Sequence, residues 1–441
     1  MIAVEVDKDH VGGFEQSFAA AGGRGEDAVA IDADGEIAGG PGHEAEAIER
    51  LAVPDKGPAL LRRGFYSECD CGQSGNSCGT YFNITSICVA IASNACGVKM
   101  KTAEVLQAWA GILAGRKPSL SIEITKECPL RCPGCYAFDA AHLGGETELR
   151  ELSDFKGEEL VKKILAIVDR EKPLHVSLVG GDPLVRYREL EMLLPELDAR
   201  GVHTQVVTSA FRVIPPEWSR FSRLNVVVSI DGLQPEHDQR RKPATYERIL
   251  KNIAGAKVTI HSTITGDIAG RVGYLDEFLQ FWCARPEINK VWFSLFTPQM
   301  GATGPEILTA KQRALVVADL LRLRIVYPKL DMAKGLIQEI LAPPTRPEEC
   351  IFAMTTHTIS ADLKTKITPC QFGGVPDCSQ CGCIASMGLA AVGHHRVAGG
   401  LTAGQLFFAS DRVGRGWRAM QRAMLGPPPE PEAAVFPILP G

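Results

Sequence analysis

The sequence predicts an α/β fold, namely a partial (β/α)6 barrel, with a small Cys-rich C-terminal extension and a poorly defined N-terminal segment. From residue 118 onward, six short runs rich in β-branched residues alternate with patterns of helical spacing. Strands that alternate with helices favour parallel β/α units. A closed barrel of this type has eight units, so six units predict an open one.

The predicted strands share short length and a high content of Val, Ile or Thr. They are Ser119–Thr125, His175–Val179, Thr204–Ser209, Leu224–Ile230, Lys257–Ile264 and Lys290–Phe296. Apolar residues at helical spacing predict helices between and after them. These are Gly157–Asp169, Arg186–Arg200, Thr245–Ala254, Val272–Cys283 and Thr309–Val326.

Changes in composition divide the chain into four segments. Residues 1–117 are irregular, with one predicted helix near 102–115. Residues 118–330 form the predicted barrel, and 331–400 form the Cys-rich segment, in which Thr358–Pro369 predicts a β-hairpin. Residues 401–441 predict a helix followed by a Pro-rich tail.

Charge and hydropathy predict neither a nucleic-acid partner nor a membrane span. The net charge is −5 and the basic residues are dispersed, which predicts no nucleic-acid partner. The N-terminus lacks a basic region followed by an apolar run, and the apolar stretch Ile84–Ala95 is too short to span a bilayer. We therefore expect no membrane span and a cytoplasmic location.

The fourteen cysteines fall into three groups and one isolated residue, Cys283. In a large intracellular chain such groups indicate metal or redox sites more often than disulfides. The first group, between residues 69 and 96, matches no ligand spacing that we identify.

The second group follows the first predicted strand. Cys128, Cys132 and Cys135 have the spacing C-x3-C-x2-C within ECPLRCPGCY. Three thiolates from one short loop can bind three irons of a [4Fe–4S] cluster, which leaves the fourth iron open to a small molecule. The alternatives are a zinc knuckle and unrelated thiols, although structural zinc prefers a second close pair of cysteines.

This loop, followed by Tyr136, resembles the hallmark of the radical S-adenosylmethionine (radical SAM) superfamily, and the resemblance covers residues 118–330. It implies a catalytic [4Fe–4S] cluster on the three cysteines and S-adenosylmethionine as a second cofactor. Further motifs follow the later strands in the order that the family shows, and each implies a contact with that cofactor.

The motif Gly180-Gly181-Asp182-Pro183 is similar to the family's Gly-Gly-Glu-Pro, which meets the amino group of S-adenosylmethionine. Asp replaces Glu here, and the alternative is a simple turn between strand and helix.

Thr208 and Ser209 end the third strand where the family often has Thr-Asn-Gly. The pattern Ser229-x-Asp231-Gly232, followed by Arg241, implies that Ser229 contacts the ribose and Arg241 the cofactor carboxylate. For His237 and Asp238 we favour local turn and cap hydrogen bonds.

The third group comprises Cys350, Cys370, Cys378, Cys381 and Cys383, and it resembles the first half of a SPASM domain or the shorter twitch domain. The resemblance implies one auxiliary [4Fe–4S] cluster on four of the five thiolates, and we favour Cys383 as the spare residue. Zinc and no metal are the alternatives.

The sequence thus predicts a radical SAM enzyme whose 5′-deoxyadenosyl radical abstracts hydrogen from, or adds to, an unknown substrate. A peptide or protein is one substrate class, and a lipid or small molecule, as for adenosyl-hopanoid synthases, is the other. A reductant such as ferredoxin or flavodoxin is the expected partner. An iron–sulfur electron carrier is the alternative of another class.

Overall fold

Seven parallel strands form one sheet in the computed structural model, which describes residues 102–145, 147–397 and 400–426. The order across the sheet is β6-β5-β4-β3-β2-β1-β7. The strands are β1 Ser119–Glu123, β2 His175–Val179, β3 His203–Thr208, β4 Leu224–Ile230, β5 Val258–Ile264, β6 Ile288–Leu295 and β7 Thr356–Ile359.

Twelve α-helices connect or cover these strands in the described part of the chain. They are α1 Thr102–Leu113, α2 Gly157–Glu171, α3 Tyr187–Ala199, α4 Glu236–Arg240, α5 Tyr246–Asn252, α6 Gly266–Ala269, α7 Tyr274–Cys283, α8 Ala310–Val326, α9 Lys334–Glu339, α10 Ile351–Thr355, α11 Ile384–His394 and α12 Ala403–Leu425.

The core lies between the sheet and the helices on its outer face. Leu120 and Ile122 of β1 are fully buried in it, as is Ile164 of α2. Side chains of a strand alternate between its two faces, so Ser119 and Ser121 of β1 point to the other side, into the barrel. The α/β class and the partial barrel are therefore confirmed.

The C-terminal extension differs from its prediction because its first strand joins the barrel. The predicted hairpin Thr358–Pro369 retains a tight turn, in which the Ser360 amide donates to the Thr365 carbonyl at 2.8 Å. Only the first arm is a strand, and it pairs in parallel with β1 through Ser119 opposite Thr356. The free edge of β1 can accept this strand, which thus becomes β7 of the sheet.

The predicted C-terminal helix is present as α12, and the predicted helix near 102–115 is present as α1. The predictions for residues 1–101, including the first cysteine group, lie outside the described residues, as does the Pro-rich tail from 427 to 441.

None of the helices in the described ranges is long and apolar enough to cross a bilayer.

Candidate active site

The three cysteines of the loop 128–135 line one cavity of about 1160 Å³ at the carboxyl ends of the strands. Loops at this edge of a parallel sheet commonly carry the active site. Each of the three thiols is partly buried and close enough to influence the ionisation of the others. Burial raises the pKa of Cys128 to about 11, and it raises the pKa of Cys132 and Cys135 as well.

Backbone amides point at two of these sulfurs. The amide of Leu130 faces Cys128, and the amides of Ala137 and Phe138 face Cys135. Donors of this kind stabilise a thiolate, whereas burial opposes it. A positively charged iron–sulfur group would relieve that opposition, so the residues fit a cluster bound through these three sulfurs.

Among the described residues, no three Cys, His, Asp or Glu side chains converge as the ligands of a single metal ion do. Ligands of a [4Fe–4S] cluster bind different irons and need not converge on one point.

Gly180 and Gly181 permit a close approach between backbones at the edge of the cavity. A Cβ at Gly181 would lie 2.0 Å from the Glu127 carbonyl oxygen, and one at Gly180 would lie 2.8 Å from the Thr125 carbonyl oxygen. The Gly181 amide donates to Thr125 and the Asp182 amide to Glu127, at 2.8 and 2.9 Å. The glycines thus join the end of β2 to the start of the cysteine loop.

Asp182 is buried and accepts hydrogen bonds on both carboxylate oxygens. The donors are the Leu184 amide at 3.0 Å, the Thr208 hydroxyl at 2.6 Å, and the Ser209 amide and hydroxyl at 2.8 and 2.6 Å. These hydrogen bonds favour the ionised form of Asp182, but burial outweighs them and raises its pKa. Its side chain therefore fixes the ends of β2 and β3 together, and a direct contact with a cofactor amino group stays a prediction.

The two arginines after β4 share one carboxylate. Arg241 forms an ion pair with Asp231 at 2.9 Å, and Arg240 donates to Asp231 at 3.4 Å and to the Pro133 carbonyl at 3.0 Å. Burial alone would raise the pKa of Asp231, but the neighbouring guanidinium groups outweigh it and lower this pKa. A cofactor carboxylate would have to share Arg241 with Asp231.

His237 and Asp238 make the local hydrogen bonds that we favoured. His237 is fully buried; its Nδ1 accepts from the Asp231 amide at 3.0 Å and its Nε2 donates to the Ala244 carbonyl at 2.8 Å. Asp238 accepts from the Tyr246 amide at 2.8 Å, at the start of α5. These contacts fix the loop that carries Asp231 and Arg241.

The structure brings almost all predicted cofactor residues to the same cavity. The lining includes Tyr136, Gly180, Gly181, Asp182, Thr208, Ser209, Ser229, Asp231 and Arg241. Pro183 instead begins a buried short helix next to the cavity, Pro183–Arg186.

A second, much smaller cavity of about 30 Å³ is lined by all five cysteines of the C-terminal group. Pro and Phe side chains complete its wall. Burial raises the pKa of Cys370 to about 12 and that of Cys378 to about 11. Cys350, Cys378 and Cys381 lie close enough to Cys370 to raise its pKa, and Cys370 and Cys381 do the same for Cys383, which also lines the large cavity. Five thiols around one small cavity suit a four-thiolate site, and Cys383 as the spare residue stays a prediction.

The residues around Cys378 and Cys381 are fastened to the barrel through backbone groups. Arg313 of α8 is buried and donates to the carbonyls of Gln380 and Cys381 at 3.0 and 2.8 Å. The Leu295 amide donates to the Gly382 carbonyl at 3.0 Å, and a Cβ at Gly382 would lie 2.4 Å from the Leu295 carbonyl oxygen. The sequence analysis did not identify Arg313 or Gly382, because neither belongs to a recognisable motif.

A buried Glu–His pair joins the two cysteine regions, and no sequence motif marks it. Glu123 ends β1 and lies 2.9 Å from His142 Nε2, while His142 Nδ1 donates to the Phe372 carbonyl at 2.8 Å. Ser360 donates to the other Glu123 oxygen at 2.6 Å. Burial opposes the charged form of His142, but the bond to Glu123 outweighs it and raises the pKa of His142.

An open parallel α/β barrel with a three-cysteine loop at its carboxyl edge is thus the class of protein that the fold and site define. Residues 122–274 match the model of the radical SAM superfamily. The matched segment contains the cysteine loop and the motifs after β2, β3 and β4. Over these residues the chain is similar to the radical SAM superfamily.

Two solved structures similar to this chain are SuiB and anSMEcpe. Streptococcus suis SuiB is 18% identical with a TM-score of 0.42, over 58% of this chain and 61% of that one. AnSMEcpe with bound AdoMet is 14% identical with a TM-score of 0.43, over 70% of this chain and 99% of that one. The chain therefore spans less than two thirds of SuiB. The search of curated proteins gave no match.

Proposed function

We propose that this radical SAM protein reductively cleaves S-adenosylmethionine to a 5′-deoxyadenosyl radical, which abstracts hydrogen from, or adds to, a substrate. The observation that carries the proposal is the shared cavity: the three thiols of the cluster loop line it together with Asp182, Ser229 and Arg241. A closed electron-transfer cluster needs no such cavity beside it, which argues against the iron–sulfur carrier.

The bound cluster would supply one electron and an open iron. Cys128, Cys132 and Cys135 would hold that cluster, and the chemistry that it would supply is reductive cleavage of the carbon–sulfur bond to C5′, with methionine as the leaving group. A reductant such as ferredoxin or flavodoxin in the cytoplasm would provide the electron.

The chain's own residues orient the cofactor and exclude water. Cys128, Cys132 and Cys135 would hold the cluster, and the carbonyls of the Gly180-Gly181 turn would accept from the cofactor ammonium group. Ser229 would bind the ribose and Arg241 the carboxylate, as a guanidinium can bind a carboxylate through two parallel bonds. Asp182 keeps Thr208 and Ser209 in place at the same edge.

We also propose one auxiliary [4Fe–4S] cluster on Cys350, Cys370, Cys378 and Cys381. The small cavity, with backbone amides directed at Cys370 and Cys381, supports this set. Such a cluster, closed by four thiolates, would accept the electron from a substrate radical or anchor the substrate. Zinc at the same thiols is the alternative, and it would contribute no iron.

Cofactor binding tests the proposal before any substrate is known. In anaerobically reconstituted, dithionite-reduced protein, S-adenosylmethionine should change the paramagnetic signal of the catalytic cluster. Arg241→Gln should raise the concentration needed for that change by at least about tenfold, since a charged hydrogen bond is lost. Arg248→Gln, on the outer helix α5, is the matched control and should leave it unchanged. If S-adenosylmethionine leaves the wild-type signal unaltered, the protein is an electron carrier.

The substrate is a peptide or protein, or a lipid or small molecule. The second class is favoured by the apolar walls at the far end of the large cavity, formed by residues such as Phe352, Leu389 and Phe407.

A further inference from the structure

The large cavity extends through the barrel to the amino ends of the strands. Its lining includes Pro118 and Leu174, which precede β1 and β2, and Trp109 of α1. Phe407 of α12 lines the same end. The interior of a closed barrel is normally packed with side chains. A cavity that passes the cofactor motifs and continues to the opposite end therefore has space for a second molecule.

We call the part of the cavity at the amino ends of the strands its lower part, and the part at the carboxyl ends its upper part. One wall of the lower part is polar. Its side chains project from equivalent positions on three adjacent strands, because Ser119, His175 and His203 are paired in register, as are Ser121, Ser177 and Gln205. All six line the cavity. Together they define what we call the polar wall.

Two atoms of the polar wall are buried without a partner in the described part of the chain: the Ser121 hydroxyl and Nδ1 of His203. Ser121 is only 2% exposed and His203 7%. Arg223 donates to Nε2 of His203 at 2.9 Å. Glu104 lies 3.5 Å from the same nitrogen, so Nδ1 is the ring atom of His203 that can meet a ligand. An unpaired buried polar group costs free energy, and a ligand with a hydrogen-bonding group would remove that cost.

The polar wall is also uncharged near neutral pH. Burial lowers the pKa of His175 to about 4, and it lowers the pKa of His203. The two rings are therefore neutral, and the ligand group that suits them is neutral as well, such as a hydroxyl or carbonyl.

Another part of the cavity lining is apolar, and we call it the apolar wall. It is formed by Ile351, Phe352, Leu389, Val392, Ala403 and Phe407. These residues come from α10, which contacts β7, from α11, which contacts β6, and from α12, which packs on α11. No charged side chain is among them, so this wall suits hydrocarbon.

We infer that the substrate is a small amphipathic molecule, with an apolar body against the apolar wall and a neutral hydrogen-bonding group on the polar wall. The inference rests on the proposed function, since the upper part of the same cavity would contain S-adenosylmethionine. A peptide fits less well, because each residue brings a backbone amide that needs a partner, and the apolar side chains supply none.

Binding of a neutral apolar dye, Nile red, tests the apolar wall without any turnover. The cluster-loaded full chain with S-adenosylmethionine should bind one dye per chain with enhanced emission, and 1-decanol should displace it. Leu389→Trp fills the lower cavity and should weaken dye binding at least about tenfold. Leu315→Trp, an exposed residue of α8, is the matched control and should bind like the wild type.

Displacement by ligands with and without a hydroxyl tests the polar wall. Ser121→Ala should weaken the binding of 1-decanol about fivefold, which is the loss expected for one hydrogen bond. It should leave the binding of decane unchanged. The same variant should be no less stable than the wild type, because its hydroxyl has no partner to lose. A purely structural serine would give the opposite pair of results.

The outcomes separate this inference from the proposed function. If the loaded chain cleaves S-adenosylmethionine but binds no dye, or if a polar hexapeptide displaces the dye better than 1-decanol does, the substrate inference is wrong. If dye and 1-decanol bind as expected but S-adenosylmethionine is neither bound nor cleaved, the amphipathic site stands and the proposed reaction fails.

Discussion

The two cysteine regions of the described chain differ in the space around their sulfurs. Cys128, Cys132 and Cys135 line a cavity of about 1160 Å³, whereas the C-terminal group lines one of about 30 Å³. The first region has three thiols beside a cavity with room for another molecule, and the second has five thiols around a cavity with almost none. The difference supports the proposal of a reactive site in the first region and a closed site in the second.

The regions also share a feature, which is a glycine that allows one backbone to contact another. Gly181 lies against Glu127 at the start of the loop 128–135, and Gly382 lies against Leu295 beside the C-terminal group. Each group is therefore fixed to a strand end of the same barrel. The Glu123–His142 pair then connects the loop region to Phe372, beside Cys370.

Substitution of the C-terminal cysteines should have the largest effect, which is a loss of iron from the second region alone. Replacing any one of Cys350, Cys370, Cys378 and Cys381 by Ala should remove about four irons per chain, while the catalytic cluster stays. Iron and sulfide analysis with electron paramagnetic resonance measures this.

Cys383→Ala and Cys283→Ala are the two controls for those variants. Both should retain the full iron content of the wild type. If Cys383→Ala loses the auxiliary iron while Cys378→Ala retains it, the spare cysteine is wrongly assigned. Zinc in place of iron would contradict the auxiliary cluster altogether.

Glu123→Gln should disrupt the connection between the two regions. Loss of one partner of a buried ion pair typically costs about 3 kcal/mol of unfolding free energy or more. The pKa of His142 is raised in the folded protein, so the pair contributes fully below the ordinary histidine pKa and less as pH rises through the raised value.

The stability difference between wild type and Glu123→Gln should therefore be largest near pH 6 and smaller near pH 9. Denaturant unfolding at both values measures it. A second variant, His142→Gln, should show little of this pH dependence. A difference that grows with pH would contradict the charged pair.

Alanine at Gly181 or at Gly382 should affect only one of the two cysteine regions. Gly181→Ala and Gly382→Ala both place a Cβ under 3 Å from a carbonyl oxygen, and each should destabilise the fold by about 2 kcal/mol. The first should lose catalytic-cluster iron and the second auxiliary iron. Gly111→Ala, in α1 with its nearest neighbour at 3.8 Å, is the control and should stabilise by about 1 kcal/mol.

Asp182→Asn should have the smallest effect. An amide retains one acceptor oxygen but turns an NH2 group toward the hydroxyl and amide donors, which costs about 1 kcal/mol. The concentration of S-adenosylmethionine needed for half-maximal cleavage should rise, because Thr208 and Ser209 lose their position. An unchanged value would exclude this positioning role.

The sequence predicted the barrel well because its strands combine short β-branched runs with helical spacing between them. The convergence of Cys128, Cys132 and Cys135 on one cavity was predictable because the three residues come from a single loop, so their spacing alone brings them together. The buried Glu123–His142 pair and Arg313 were missed, since each joins segments far apart in the chain and looks like an ordinary charged residue. β7 was assigned to a hairpin because the sequence does not show that β1 has a free edge for it.

The formation of 5′-deoxyadenosine is the measurement that tests the central claim most directly. Wild type and a Cys128→Ala/Cys132→Ala/Cys135→Ala variant would be reconstituted anaerobically, reduced with dithionite and incubated with S-adenosylmethionine. We expect 5′-deoxyadenosine from the wild type and none from the variant, which should retain the auxiliary iron. Equal amounts from both proteins, or none from a fully loaded wild type that also leaves S-adenosylmethionine unbound, would contradict a radical enzyme built on these three cysteines.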